Sequence, residues 1–285
     1  MLLALFKLLA KLPLPLLHGT GRAIGQLVYL FPGRYRLRLT RNARQAGYFS
    51  KRFARQASGE TGAMTLETPK VWLQPKACLA KTYSHDDDVA RQARQEGRGI
   101  LYLTPHLGCF EITARYIAQS TPITVMYRPP RWQPLEPVMT AARSQADVHA
   151  VPANTQGVRA FVRALRKGEA VGMLPDQVPR GGEGLWTPFF ERPAYTMTLA
   201  AKLALQTNVI VVLTAGERLP RGKGWRIHYE RLPEPLPDNV ADLVLAINQS
   251  MEALIRRFPE QYLWSYSRYK GPEGAPPKPD FPPFP

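Results

Sequence analysis

GILYLTPHLGCFE, residues 99–111, is the stretch on which the reading of this chain turns. Ile100 to Leu103 is apolar without alternation, and with Gly99 and Thr104 at its ends it reads as a strand buried on both faces. A helix is expected next, from about Gly108 to Ala118. Pro105 and Gly108 lie between the two and favour an irregular turn.

Further along the chain the same grammar repeats. Ile123 to Tyr127 reads as a second strand and Leu135 to Gln145 as a second helix. Asn154 can cap a helix from Thr155 to Lys167, which Gly168 ends before a strand at Ala170 to Leu174. Asn208 to Ala215 and Trp225 to Glu230 are further strands, and Asp238 to Phe258 is the last long helix. Strands alternating with helices predict one α/β domain with a mostly parallel, helix-covered sheet. Asp86, Asp87 and Asp88 resemble a metal cluster, but they precede an amphipathic stretch, where carboxylates favour a helix N-terminus. The tail from Gly271 is rich in proline and reads as an extended surface segment without catalytic work. The organisation expected is an anchor over residues 1–44, a main domain over 45–270 and the tail over 271–285.

The chain has 285 residues and a net charge of +16, with 45% hydrophobic residues. That length supports a core large enough for an enzyme. The charge is uneven: residues 1–59 contain eleven Lys or Arg and no Asp or Glu. An anionic surface or an acidic protein fits this asymmetry, whereas no zinc-finger spacing or RNA-binding signature accompanies it, so no nucleic-acid partner is expected. Met1 to Leu12 is Leu-rich with Lys7 and Lys11 on one side, the pattern of an interfacial helix. Pro13 and Pro15 interrupt it, and His18, Gly19, Gly21 and Arg22 are expected to break the apolar run before Ile24 to Phe31. No stretch reaches the ~18 to 20 apolar residues of a simple spanning helix. Arg34, Arg36, Arg38, Arg41 and Arg44 follow as a basic collar, and no small-residue cleavage site appears, so a retained anchor facing the cytoplasm is expected. Cys78 and Cys109 form no redox or metal-binding spacing, and each reads as a small buried apolar residue.

His106 stands at a strand end, where ligands collect in open α/β sheets. On one ideal helix residues five apart point about 140° apart, so His106 meets Glu111 only if it precedes the regular helix. An imidazole can take the proton of an attacking alcohol, and a carboxylate can fix its tautomer. In this reading the nucleophile belongs to the substrate, since no G-x-S-x-G elbow is present. Arg180 to Gly184 is glycine-rich but lacks the ending of a phosphate-binding loop. Trp186, Phe189 and Phe190 read as core aromatics or as a lining for an acyl chain, and Thr196 and Thr198 as caps of the following helix or as substrate contacts. His18, His85, His149 and His228 show no ligand spacing, so no metal is assigned.

The order of motifs carries further meaning. H-L-G-C-F-E at 106–111, Y-R-P at 127–129, Arg143, P-D-Q at 175–177, P-F-F at 188–190, P-E-Q-Y-L-W at 259–264 and Arg268 together resemble the bacterial lipid A late acyltransferases. These are a branch of the lysophospholipid acyltransferase superfamily, and the resemblance runs from the N-terminal segment to about Gly274. It implies a lysophospholipid-acyltransferase-like fold at the cytoplasmic face of the bacterial inner membrane. It implies transfer of a fatty acyl group from acyl carrier protein to a hydroxyl of a phosphorylated glycolipid, with no cofactor beyond that donor. By the same resemblance His106 is the general base and Glu111 its partner, and Arg128 and Arg143 are substrate-binding positions for phosphate or the acyl carbonyl, with a surface salt bridge as the alternative for each. Asp176 and Gln177 follow a strand and read either as substrate-binding residues of the same pocket or as a structural cap or turn. Two alternatives stand beside it: the same chemistry on a lysophospholipid or another glycolipid, and a membrane-binding protein without catalysis.

Overall fold

The apolar runs become strands because their side chains are divided between two cores. In the computed structural model, which describes residues 2–127 and 147–283, strand β2 (Ile100–Leu103) is buried along its whole length. Leu101 and Leu103 join one core, and Ile100 and Tyr102 join the other. Such alternation across a sheet follows from the two-residue period of a strand. The other strands are β1 (Thr82–Ser84), β3 (Ile123–Tyr127), β4 (Val148–Pro152), β5 (Ala170–Met173), β6 (Gly184–Phe189), β7 (Arg192–Met197), β8 (Ile210–Arg218) and β9 (Trp225–Arg231).

Seven of them form one sheet in the order β1-β9-β8-β2-β5-β3-β4. Neighbours from β8 to β4 pair in parallel, whereas β9 runs antiparallel to β8 and carries β1 beside it in parallel. The mostly parallel sheet is thus observed, with a reversed edge. β6 and β7 stand apart as an antiparallel hairpin. Its register pairs Phe189 with Arg192, leaving Phe190 and Glu191 as a two-residue turn with φ of 47° and 64°. Positive φ at both positions matches the twist of a tight hairpin, and the buried Phe190 ring holds a residue there that is not glycine.

Five of the predicted strands are present, while β1, β4 and the hairpin were not anticipated; each is short or has its hydrophobicity interrupted by Pro or Gly. The expected helices appear as α7 (Phe110–Ile117), α8 (Thr155–Arg166) and α10 (Val240–Arg257), with α9 (Leu199–Thr207) between the last two. The Asn154 side chain accepts from the backbone N–H of Gln156 and Gly157, the cap expected of it. Asp87 and Asp88 lie in the first turn of α6 (Asp87–Gln95). The helix expected over 135–145 lies outside the described residues.

The N-terminal region is helical throughout: α1 (Leu2–Lys11), α2 (Leu14–Leu30), α3 (Arg34–Gln45), α4 (Lys51–Leu73) and the short α5 (Pro75–Leu79). The interruption of the apolar run at His18 to Arg22 does not interrupt the helix. His18 and Gly21 lie on the buried face of a continuous α2, with Leu14, Leu17, Gly25 and Tyr29, and that face packs on α4 through glycine. A Cβ on Gly25 would lie 2.1 Å from the Ser58 carbonyl oxygen, and one on Gly62 would lie 2.0 Å from that of Gly21. His18 reaches Glu67 at 2.8 Å, and Glu67 also takes hydrogen bonds from Arg218 Nε and Trp225 Nε1, both at 3.0 Å. Among the described residues no helix is long and apolar enough to cross a membrane.

Candidate active site

β2 and β5 are parallel neighbours in register, Leu103 opposite Met173. His106 is three residues beyond Leu103, and Asp176 is three beyond Met173. The two therefore emerge side by side at the carboxyl edge of the sheet, at the spacing of adjacent strands. They stand where the chain leaves β2 for β3 and later returns to lay β5 between them. Such a crossover opens a crevice at the strand ends.

Asp176 holds His106 twice. One carboxylate oxygen is 2.7 Å from the ring Nδ1, and the other accepts the backbone N–H of His106 at 2.9 Å. The carboxylate is buried, which pushes its pKa up. The charge of His106, the two hydrogen bonds and the charge of Arg268 outweigh this and leave it below the ordinary value. An ionised Asp176 makes Nδ1 the donating nitrogen, so the lone pair of the neutral ring sits on Nε2. At 3.0 Å from Nε2 is the side-chain nitrogen of Gln177, placed to donate to it.

Glu111 is the second residue of α7, and Cys109 is the cap. His106 therefore lies ahead of the regular helix, as the spacing required. The carboxylate bonded to the His106 ring is nevertheless that of Asp176, which corrects the expected pairing with Glu111. Gly108, at φ 60°, turns the chain into α7, and Glu111 comes within 3.4 Å of Arg115 Nη1 one turn on. The adjacent strand end is nearer to the ring than the helix that follows it. Glu111 still shares the site, since it lines the same cavity as His106 and Gln177.

That cavity has a volume of about 850 Å³. Tyr102, Ile117, Ile123, Val125 and Val148 form its apolar part, and Arg115, Arg180 and Lys202 bring positive charge to its wall. These three basic residues were not singled out from the sequence: the first looks like a helix surface position and the others like loop and helix charges. Thr198 also lines the cavity, whereas Thr196 is engaged by Arg268. Arg128 and Arg143, expected to bind substrate, lie outside the described residues.

The turn that carries His106 is fixed from behind. Leu263 N–H donates to the His106 carbonyl, Gly108 N–H to that of Gln261, both at 3.0 Å, and Cys109 N–H to that of Gly216 at 2.7 Å. The Gln261 side chain in turn bonds the backbone N–H and carbonyl of Arg218 at 2.8 and 3.0 Å. Gly108 is required here because a Cβ would lie 2.1 Å from the Gly216 oxygen. The buried Arg268 donates to the Tyr195 carbonyl at 2.9 Å and to Thr196 Oγ1 at 2.6 Å. Tyr266 accepts the N–H of Val178, next to Gln177, at 3.0 Å. The closing sequence motif is thus the rear support of the site.

Residues 1–271 match the family model described as bacterial lipid A biosynthesis acyltransferase. The lipid A biosynthesis palmitoleoyltransferase of Escherichia coli K12 is 28% identical over 211 residues, covering 73% of this chain and 68% of the relative. The lauroyltransferase of lipid A biosynthesis from the same organism is 26% identical over 279 residues, covering 94% and 90%.

Proposed function

Because this chain belongs to the bacterial lipid A biosynthesis acyltransferase family, we propose that it moves a fatty acyl group from acyl carrier protein to a hydroxyl of a lipid A precursor, with His106 as general base. The observation that carries the mechanism is the orientation of the ring, with Nδ1 on the buried Asp176 and Nε2 toward the cavity. The acceptor hydroxyl takes the place of the Gln177 amide at Nε2. As its oxygen attacks the thioester carbonyl, its proton passes to Nε2 and the imidazolium is stabilised by Asp176. The C–O ester bond forms, the C–S bond breaks, and the proton returns to the departing thiolate.

Glu111 is the second catalytic residue in this reading, acting from the cavity wall on the substrate side. Gln177 and Asp176 are substrate-side and orienting groups, and Arg128 and Arg143 bind the phosphorylated or acyl-bearing parts of the substrates. Arg115, Arg180 and Lys202 add charge suited to a phosphorylated ligand. The apolar part of the cavity suits an acyl chain. No metal or cofactor takes part.

The protein works at the cytoplasmic face of the inner membrane. Supporting this, Leu16, Ile24, Leu27, Leu30 and Phe31 on and just after α2 are exposed. Such a face lies in the interface rather than across it. Purified protein supplied with acyl carrier protein thioesters and a panel of acceptors tests the whole reading. Transfer to a lipid A precursor is expected; transfer only to lysophospholipids, or to nothing, overturns it.

A further inference from the structure

A second cavity, of about 340 Å³, lies between α3 and the segment after Tyr266. Arg34, Arg38 and Arg41 line it from successive turns of α3, and Arg268 and Lys270 line it from the other side, with no carboxylate among the lining residues. Arg34, Arg38 and Lys270 are exposed, and none of the three has an ion-pair or hydrogen-bond partner among the described residues. Arg268 is buried, and its Nε has no hydrogen-bond partner among the described residues either. Gathering Arg34, Arg38 and Lys270 at one concavity, with no carboxylate paired to any of the three among the described residues, costs free energy that an anion would recover.

The surroundings indicate which anion. Leu37 lines the same cavity and is 48% exposed, and the exposed Leu27, Leu30 and Phe31 precede it along the chain. Arg36 Nη1 reaches the Leu30 carbonyl at 3.4 Å, so the start of α3 is tied to the end of that apolar face. A soluble phosphate would use the guanidinium groups and leave the apolar side chains in water. A phospholipid would use both, with its phosphate in the arginine fork and its chains beside the leucines. The Asn42 amide donates to the Trp264 and Tyr266 carbonyls at 2.7 and 2.8 Å, which fixes the two sides of the cavity to each other.

We infer that this cavity is a headgroup site for an anionic phospholipid, separate from the cavity at His106. The inference rests on the membrane-surface placement proposed above. The test compares the native protein with Arg34→Ala/Arg38→Ala and with Arg166→Ala/Lys167→Ala, which removes the same charge from the end of α8. Each is titrated with phosphatidylcholine vesicles, with vesicles containing phosphatidylglycerol, and with glycerol 3-phosphate. The first pair is expected to weaken binding to the phosphatidylglycerol vesicles by about thirty-fold, far more than the second. Turnover on an acceptor dispersed in neutral detergent stays unchanged in both. Equal losses in the two variants would overturn the site in favour of diffuse charge attraction. Glycerol 3-phosphate binding as tightly as the vesicles would overturn the lipid assignment. A native protein that binds no vesicle removes the surface placement itself, whereas vesicle binding indifferent to Arg34 and Arg38 removes only the headgroup site.

Discussion

His106 depends on a partner brought from 70 residues away in the chain. Replacing it by Ala is expected to lower turnover by at least ~100-fold with the fold intact, measured by acyl transfer and circular dichroism. Asp176→Asn keeps the shape but loses the charge that fixes Nδ1 as the donor. A fall of at least ~100-fold in kcat with little change in KM is expected. Glu111→Gln leaves the ring's bond to Asp176 in place, so a fall of ~10-fold or more there identifies action on the substrate side. Full activity of Glu111→Gln would remove Glu111 from the mechanism. The Asp176 partnership had a faint signal in the sequence. Leu103-Thr-Pro-His106 and Met173-Leu-Pro-Asp176 share one pattern, an apolar strand end followed by a residue, a proline and a polar group. Only the register of β2 against β5 turns that similarity into a contact.

Among the elements, the α2–α4 pair depends on glycine where the backbones nearly touch. Gly62→Ala puts a methyl 2.0 Å from the Gly21 oxygen. Overpacking of this kind costs about 1 to 3 kcal/mol, to be seen as a lower midpoint of thermal unfolding. In the sequence the same glycines look like interruptions of an apolar helix, because close approach is a property of two helices and not of one. The proline-rich tail is strapped to the β6–β7 hairpin. Trp186 Nε1 donates to the Pro276 carbonyl at 2.9 Å, Lys278 lies 5.6 Å above the Trp186 ring, and Arg192 Nη1 donates to the Pro282 carbonyl at 3.0 Å. A Cβ on Gly181 would lie 2.1 Å from the Glu273 oxygen, so the tail backs the loop that brings Arg180 to the cavity. Truncation after Gly271 is expected to raise KM for the acyl donor several-fold while changing kcat little. A rise confined to unfolding, with unchanged KM, would make the strap purely structural.

Across the whole molecule, the cluster of buried Glu67, Arg218 and His18 with the half-buried Glu60 fastens the N-terminal helices to the sheet. Burial raises the Glu67 pKa, but the charge of Arg218 and the hydrogen bonds from His18 and Arg218 outweigh it and hold it at about 2, against an ordinary 4.5. A carboxyl depressed on folding stabilises the native state above its unfolded pKa and loses that contribution as pH falls through the folded value. The contribution is therefore complete above about pH 4.5 and declines toward pH 2. Glu67→Gln leaves Arg218 buried without its main counter-charge and is expected to cost about 3 to 5 kcal/mol at neutral pH. Denaturant titrations from pH 7 to pH 2 should show the native protein converging on the variant at the acid end. A constant gap between them would assign the stability to packing.

From residue order alone came the α/β class, five strands and the helices at 110–117, 155–166 and 240–257, the family resemblance and the position of His106 ahead of its helix. These depend on short-range periodicity, capping and turn chemistry, which neighbouring residues settle between themselves. Folding in three dimensions set Asp176 against the ring, brought Arg115, Arg180 and Lys202 to the cavity, and packed α2 on α4 through glycine. It also closed α3 and the 267–270 segment around one cationic hollow. Each of these joins groups far apart in the chain, and such contacts are fixed by strand register and helix packing, which no local stretch of sequence encodes.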